Sequence, residues 1–371
     1  GWRLARLEEA CELRKEAVNP AECPNMGYVG LEHIDPGNPM LKRNGNSGEV
    51  NSSKSRFYPG DILYGKLRPY LDKSVLIDFE GLCSTDILVL KSRELINPQF
   101  LVNLIHTNQF LSYAVSTSSG VNHPRTSWSS ISAFLFLLPP LPEQRAIARA
   151  LRAVQGAREA RLREVALEKE RKAALMEHLF THGTRGEATK MTEIGEMPES
   201  WEVVKLGDLL REKLKNGHSA KASNSDRGIR TLTLTAVTKN DFSITNTKIT
   251  VADPEYVRDL WIKPGDIFIE RANTPEFVGL VSLYQGPIDF AIFPDLMVRV
   301  RLKTEEVNPK YAVEFLLTEP TRSYFRRNAA STTGNMPKID QGIIERTQIP
   351  IPGDFQEQNF IADILNACDA K

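Results

Sequence analysis

The residue types best suited to chemistry gather in two cationic clusters. The run Tyr64-Gly65-Lys66-Leu67-Arg68-Pro69-Tyr70-Leu71-Asp72-Lys73 sets three cations (Lys66, Arg68, Lys73) and two aromatics (Tyr64, Tyr70) on a strand and its turn. A polar loop, Ser116–Ser127, adds Ser119, Asn122, His123 and Arg125. In the second half Arg271, Asn273 and Thr274 form one group, and Thr333, Asn335 and Lys338 a second. Lys and Arg neutralise phosphates, Arg pairs in bidentate fashion with guanine, and Asn does so with adenine. The chemistry on offer is the reading of duplex DNA. Each residue alone is also what a solvated turn would carry; the weight comes from the clusters falling at equivalent points of a repeat.

Catalytic patterns are weaker. Gly60–Lys66 fits most of the phosphate loop GxxxxGK, which would make the chain a nucleotide-dependent enzyme. However, Leu67 stands where Ser or Thr should bind magnesium, and Asp61–Tyr64 has the pattern of a strand. Glu170-Arg171-Lys172 has a nuclease-like ExK spacing but lies in a helical pattern, without an acidic strand ahead of it. His178 and His182 stand one helical turn apart, with no Asp, Glu or Cys nearby in sequence to complete a metal set. The residues predict no catalytic site and no metal site.

The elements that must position the clusters are written twice. Each copy opens on Trp (Trp2–Leu7, Trp201–Leu206) and carries a turn-and-strand signal (Pro59-Gly60-Asp61-Ile62, Pro264-Gly265-Asp266-Ile267). Each goes on to a helix start of Asn then Pro (Asn97-Pro98, Asn308-Pro309). Each closes on an apolar strand, prolines and Glu-Gln: Glu143-Gln144, Ile147, Ala148 and Leu151 match Glu357-Gln358, Ile361, Ala362 and Leu365 at one offset of 214 residues. The strands that follow the two PGDI turns differ completely in sequence. The spacing predicts two α/β (α+β) domains, with Ala133–Leu141 as a buried strand.

Between them, Pro142–His182 predicts one long helix. Pro142 suits its first turn and Gly183 its stop. Apolar residues Ile147, Leu151, Val154, Val165, Leu175 and Leu179 recur at helical spacing beside a stripe of small residues, Ala146, Ala150, Ala153, Ala157 and Ala160, which allows a second helix to approach closely. A plain amphipathic helix in a bundle would show the same pattern, and a helical protein-interaction scaffold is the reading that follows from it alone. The chain then divides as 1–140 (first domain), 141–183 (helix), 184–199 (polar, Gly-containing linker), 200–352 (second domain) and 353–371 (start of a second helix).

Lys+Arg and Asp+Glu tie at 47 each, so positive charge for nucleic acid must be gathered locally. The four cysteines, Cys11, Cys23, Cys83 and Cys368, are scattered without a CxxC pair, as in a reducing cytoplasm. No apolar run approaches the ~20 residues that span a membrane. Gly1 in place of Met leads to the expectation that the native N-terminus lies further upstream.

The motifs YVGLEHID (Tyr28–Asp35), FYPGDILYGKLRPYLDK (Phe57–Lys73), CSTDILVL (Cys83–Leu90) and PPLPEQRAIA (Pro139–Ala148), with the proline–Glu-Gln–helix ending of both copies, resemble the specificity subunits of type I restriction–modification systems. The resemblance covers nearly the whole chain. It implies two target recognition domains, each reading one half of a bipartite double-stranded DNA site. It implies an antiparallel coiled coil of long helices that fixes the gap and docks two methyltransferase (M) subunits, with the alanine face (Ala150, Ala157) toward the second helix and the Ile147, Leu151 and Val154 side toward the methyltransferase. S-adenosylmethionine would sit on those M partners, ATP and Mg on a separate restriction/translocase (R) subunit, and no cofactor on this chain. The helix begun at Phe355 is under half the length of the first. The resemblance therefore calls for the rest of the pair to come from a longer native chain or from a second copy of this one.

Overall fold

The computed structural model describes residues 1–223, 225, 227–329 and 336–369. The chain forms two compact units, Gly1–Leu162 and Arg163–Lys371, so the boundary falls inside the long helix.

Unit 1 is built on an antiparallel four-stranded sheet in the order Cys11–Leu13, Ile87–Ser92, Ile62–Gly65, Ser74–Leu76. Ile62–Gly65 is buried at every position, as an apolar run covered on both faces must be. Its N–H groups serve the sheet, so the GxxxxGK segment is a strand and not a phosphate-wrapping loop. Gly60 takes φ 89°, which turns the chain into that strand. A five-stranded sheet flanks it, with one parallel pair, Gly27–Val29 against Gly81–Cys83. Helices Pro98–Ile105 and Asn108–Ser116 close the core; Asn97 caps the first by accepting from the Phe100 N–H at 3.1 Å.

Unit 2 repeats the sheet with different residues: Lys215–Asn216, Met297–Val300, Ile267–Glu270, Val281–Leu283. Ile62 faces Leu90 and Leu76, and Ile267 faces Val300 and Leu283. The sequences after the two PGDI turns diverge, yet their strand pairing is the same. Asn308 caps the helix Pro309–Leu316 through the Lys310 N–H at 2.8 Å.

Each unit also has a two-stranded ribbon joining its opening to its close, Arg3–Arg6 with Leu135–Leu138 and Glu202–Lys205 with Gln348–Ile351. The expectation of a buried strand at Ala133–Leu141 is corrected here. Leu135–Leu138 alternates, with Phe136 and Leu138 in the core and Leu135 and Leu137 facing outward, because a two-stranded ribbon of its own packs only one face on the core. The polar stretch 184–199 is likewise no plain linker: Thr189–Thr192 and Gly195–Pro198 form a hairpin that buries Met197.

The helix runs Leu141–His182, 42 residues, or ~63 Å at 1.5 Å per residue. Its opening packs on the unit 1 core through Ala148 and Ile147. Its last turns belong to unit 2, where Leu179 and Phe180 are buried. From Arg149 to Arg171 every residue but Gln155, Glu159 and Glu168 is exposed, Leu151 and Val165 at 40% and 42%. The C-terminal helix Phe355–Asp369 runs antiparallel to those last turns: Glu357, near its start, bonds to Thr184, and Asp369, at its end, pairs with Lys172 at 2.7 Å.

Candidate nucleic-acid interface

In unit 1 the strand Ile62–Gly65 ends in a tight turn that holds the cations. Arg68 and Asp72 both adopt left-handed backbone, φ 52° and 50°, on either side of the 3₁₀ turn Pro69–Leu71. The turn is pinned from below: the His106 ring bridges the Asp72 carboxylate at 2.9 Å and the Ser74 carbonyl at 3.0 Å. Tyr70 projects outward, half exposed, and Lys66 and Arg68 lie at the surface partly covered. Lys73 turns its ammonium onto the Leu31 carbonyl at 2.5 Å.

The loop Ser116–Ser127 lies against that turn, so the structure brings together two groups more than forty residues apart. Arg68 N–H donates to the Pro124 carbonyl at 2.7 Å, Thr126 N–H to the Lys66 carbonyl at 3.0 Å, and the Arg68 guanidinium meets His123 Nδ1 at 3.2 Å. Ser119 and Arg125 exchange backbone hydrogen bonds at 2.9 and 2.8 Å, closing a small ribbon. Ser119, Asn122 and His123 stand exposed on it, and Arg125 is exposed beside Asp86, 3.3 Å away.

Tyr64 is a correction. Its ring is 3% exposed and packs edge-to-face on Phe110 at 5.6 Å, so it belongs to the core beneath the turn and has no face for an outside ligand. The cause is strand alternation: Tyr64 points inward with Ile62 into the same cluster. Burial pushes its hydroxyl well above the usual tyrosine range, with the charge of Asp72 adding to it.

Unit 2 presents the same arrangement in other residues. Leu67 forms an isolated bridge with Arg125, and Ala272 forms one with Lys338. Thr126 N–H reaches the Lys66 carbonyl, and Ile339 N–H reaches the Arg271 carbonyl at 2.8 Å. Arg125 and Lys338 therefore occupy one structural position, both exposed. Thr274 is exposed and Arg271 partly so. Asn273 is committed internally: its amide donates to the Glu270 carboxylate, and its Oδ1 accepts from the Thr274 N–H at 2.8 Å. Thr333 and Asn335 lie outside the described residues.

Of the residues expected on the helices, Ile147 is partly buried on unit 1, while Ala150, Leu151, Val154 and Ala157 are exposed. Ile361 and Leu365 are fully buried, in one cluster with Leu179 and Phe180 of the long helix. The rings of His178 and His182 lie 4.9 Å apart, tilted by 53°, and among the described residues no group of three or more His, Cys, Asp or Glu gathers as a metal set. Burial drives the Cys11 and Cys83 thiols up to about 12, which makes them poor nucleophiles. Among the described residues no helix is long and apolar enough to cross a membrane.

The duplicated Glu-Gln has a structural explanation that its sequence context did not reveal. Gln144 is fully buried; it accepts from the Asn97 N–H at 2.8 Å and donates to the Leu95 and Pro139 carbonyls at 3.1 and 2.8 Å. Gln358 likewise accepts from the Asn308 N–H at 2.8 Å and donates to the Glu306 carbonyl at 3.2 Å. Each Gln ties the Asn-Pro helix start to the helix that leaves the unit. His106 and Glu270, which hold the two cationic turns, were also missed, since a lone His or Glu carries no spacing signal.

Comparison with known proteins agrees with this architecture. The model of the type I restriction modification DNA specificity domain matches residues 1–168 and again 198–371. The chain is 30% identical over 154 residues to the EcoDI specificity subunit of Escherichia coli (40% of this chain, 33% of that protein). It is also 30% identical over 188 residues to the putative MjaX specificity subunit of Methanocaldococcus jannaschii (48% and 42%). The matches thus span a third to two-fifths of those relatives' lengths. Among solved structures, the type I system S subunit from M. genitalium has the same fold (TM-score 0.63, 12% identity, all of this chain and 90% of that one). So does a chain from a structure of complex assembly and conformational transition in the type I R-M system (TM-score 0.55, 19% identity, 100% and 90%). Two specificity-domain matches on two repeated units place the chain in the type I restriction–modification DNA specificity family.

Proposed function

We propose that this chain is the non-catalytic, sequence-reading subunit of a type I restriction–modification complex, each unit reading one half of a bipartite duplex target. The observation that carries this reading is the shared register of the two cationic loops: Arg125 over Leu67 and Lys338 over Ala272. Unit 1 presents Lys66, Arg68, Tyr70, Ser119, Asn122, His123 and Arg125 to one half-site, Tyr70 and the loop tip outermost, with Lys73 turned inward onto Leu31. Unit 2 presents Arg271, Thr274, Lys338 and, beyond the described residues, Thr333 and Asn335 to the other. The long helix sets the gap, pairing antiparallel with the C-terminal helix. Between Arg149 and Arg171 most residues are exposed, Leu151, Val154, Leu162, Val165 and Leu167 among them, which supports a role as a bridge and a docking surface for two methyltransferase subunits. Those subunits hold S-adenosylmethionine, and a restriction/translocase subunit uses ATP and Mg. The tied charge of 47 against 47 fits a reader whose partners supply part of the phosphate contact.

Mapping methylated adenines in DNA from cells that express the chain with a methyltransferase partner tests this directly. Two half-sites at a fixed gap are expected. Exchanging residues 1–140 for another such domain should change one half-site only. Inserting one helical turn at Gly156, where an added side chain meets nothing within 4 Å, should lengthen the gap and leave both half-sites intact. Both half-sites changing together, an unchanged gap, or ATP hydrolysis by the purified chain that is lost in Lys66→Ala would overturn the reading.

A further inference from the structure

The turn that carries Arg68 re-enters the sheet through Asp72, whose backbone is left-handed at φ 50°. Ser74 stands opposite Tyr64, and Val281 opposite Ile269, so the counterpart of Asp72 in unit 2 is Gly279, also left-handed at φ 72°. A glycine takes that conformation freely, whereas a residue with a Cβ must be held in it. The surroundings are exchanged as a set. A Cβ added to Gly279 would stand 2.6 Å from Phe325; counted from the N-cap threonines Thr318 and Thr107, the place of Phe325 is taken in unit 1 by Ala114. The residue that caps the end of the preceding helix is Leu317 in unit 2, packed on the core, and His106 in unit 1. Gly, Phe and Leu close the corner without charge, and Asp, Ala and His close it with an ion pair. The fold itself does not require the ionic version, since unit 2 forms the same corner without it.

The ionic corner depends on one proton. His106 Nδ1 lies 2.9 Å from Asp72 Oδ1, and Nε2 lies 3.0 Å from the Ser74 carbonyl. A carboxylate and a carbonyl only accept, so both bonds exist together only when both ring nitrogens carry hydrogen, as in the imidazolium. The neutral ring donates once and sets its other lone pair against an oxygen. The two side chains are 11% and 22% exposed, which leaves water little room to replace the lost bond. The other ionisable groups on the elements packed here are turned elsewhere. On the turn, Lys66 lies at the surface, Arg68 meets His123, and Lys73 reaches the Leu31 carbonyl. Tyr113, on the helix that follows His106, donates to the Ser130 carbonyl, and the Tyr64 hydroxyl beneath is buried without a partner. Gly37 N–H holds the Asp72 carbonyl at 2.8 Å, and Asp35 beside it pairs with Arg43 and Lys42.

We infer that His106 is a positioning residue whose charge sets the cationic turn: as the imidazolium it holds Asp72, and through it Arg68 and Tyr70, in the geometry that reads one half-site. As the neutral ring it lets the turn relax. The inference rests on the reading of unit 1 as a reader of duplex DNA. Recognition of that half-site is strongest below the imidazole range and weakens as pH rises through it. The corner of unit 2, with Leu317 in that place, has no imidazole to lose its proton.

The test is the affinity of the full chain for its mapped duplex, read by anisotropy at about pH 6 and pH 8. Wild type is compared with the double variant Asp72→Gly/His106→Leu, which installs the unit 2 corner. Dividing the two affinities at each pH removes every other titration, that of Glu270 included. Relative to the double variant, wild type should lose ~10-fold between the two pH values, the weight of one charge-assisted hydrogen bond. His106→Gln should bind weakly at both, and its ratio to wild type serves in the same way if the double variant unfolds. A duplex scrambled in the half-site that follows residues 1–140 should show no such loss. Hydrogen exchange in the turn 66–73, corrected for intrinsic rates, gives a readout free of DNA: wild type better protected than His106→Gln at the lower pH, the two alike at the higher. Three outcomes would overturn the inference: affinities of wild type and both variants that move in parallel with pH; equal protection of the turn in wild type and His106→Gln at the lower pH; or an equal loss on the scrambled duplex, which would make the imidazolium a plain counter-charge to phosphate. A chain that binds no duplex at either pH, with the exchange difference intact, would break the DNA reading and leave the proton-dependent hold on the turn standing.

Discussion

Unit 1 and unit 2 share a sheet order, a helix start and a loop register, but they differ in how their shared parts are finished. The aspartate of each PGDI turn shows how one problem is solved twice. Asp61 accepts from the Tyr58 N–H and pairs with Arg14 at 2.8 Å; Asp266 accepts from the Lys263 N–H and pairs with Arg301 at 2.5 Å. Arg14 follows the edge strand Cys11–Leu13, whereas Arg301 follows the central strand Met297–Val300. A buried carboxylate needs a guanidinium, and the fold accepts it from either neighbour. The backbone position is what the two repeats hold in common; the side chains around it are free to change.

The largest expected contrast lies at the opening tryptophans. Trp201→Ala empties a fully buried site, which should cost unit 2 ~3–5 kcal/mol. Trp2→Ala removes a ring that is already half in water and should cost unit 1 no more than ~1.5 kcal/mol. Hydrogen exchange followed separately in each unit measures both. Equal losses would break the contrast and mean that Trp2 is already covered in solution.

The paired glutamines should behave alike, which sharpens the comparison from the other side. Each buried group left alone costs about 1–3 kcal/mol. Gln144→Ala strands three partners and Gln358→Ala two, so the former should lose more. The readout is protection at the N–H groups of Asn97 and Asn308. Retained protection in either variant would show that water replaces the side chain there.

How much of this was legible beforehand follows from what each residue depends on. The repeat, the long helix and the Asn-Pro caps rest on local signals, and the helix came out at Leu141–His182 against an expected Pro142–His182. The two loops of unit 1 carry their polarity openly, but their meeting does not: it depends on Arg68 and Thr126 bonding across a gap in sequence. Tyr64 read as a surface aromatic because a cationic neighbourhood hides a two-residue alternation, which buries it beside Lys66. Leu135 and Leu137 read as core because composition cannot distinguish an edge ribbon from a central strand. Asn273 looked like a free base reader because residue type does not reveal its partner, Glu270, whose carboxylate is fully buried.

A smaller effect is expected at the cationic loops. Arg125→Ala and Lys338→Ala should each weaken duplex binding, by ~1–3 kcal/mol where a bidentate base contact is lost and more evenly across sequences where the contact is to phosphate. Equivalent positions should act on different half-sites. Titrations on duplexes altered in one half at a time decide this, and a loss confined to the same half-site for both variants would break the equivalence.

The finest distinction sits at one strand position. Unit 1 has Gly65 there, where an added Cβ would stand 2.8 Å from Leu31, and unit 2 has Glu270, fully buried and accepting from Thr238 at 2.8 Å and from Asn273. Burial raises the carboxyl's pKa; the bonds from Asn273 and Thr238 and the charge of Arg322 offset this only in part. The folded unit therefore holds that proton more tightly than the unfolded chain does. Its contribution to stability is complete below the ordinary glutamate pKa and is lost as pH rises through the raised folded value. Urea unfolding with exchange read in unit 2, from about pH 4 to pH 7, should show wild type losing ground to Glu270→Gln across that window, with unit 1 unmoved by the substitution. A difference that stays flat with pH would mean the carboxyl is solvated and does not hold the loop. The same change leaves one acceptor oxygen for the two groups, Asn273 and Thr238, that donate to the carboxylate, so the turn Arg271–Thr274 should loosen and duplex binding should weaken at one half-site alone.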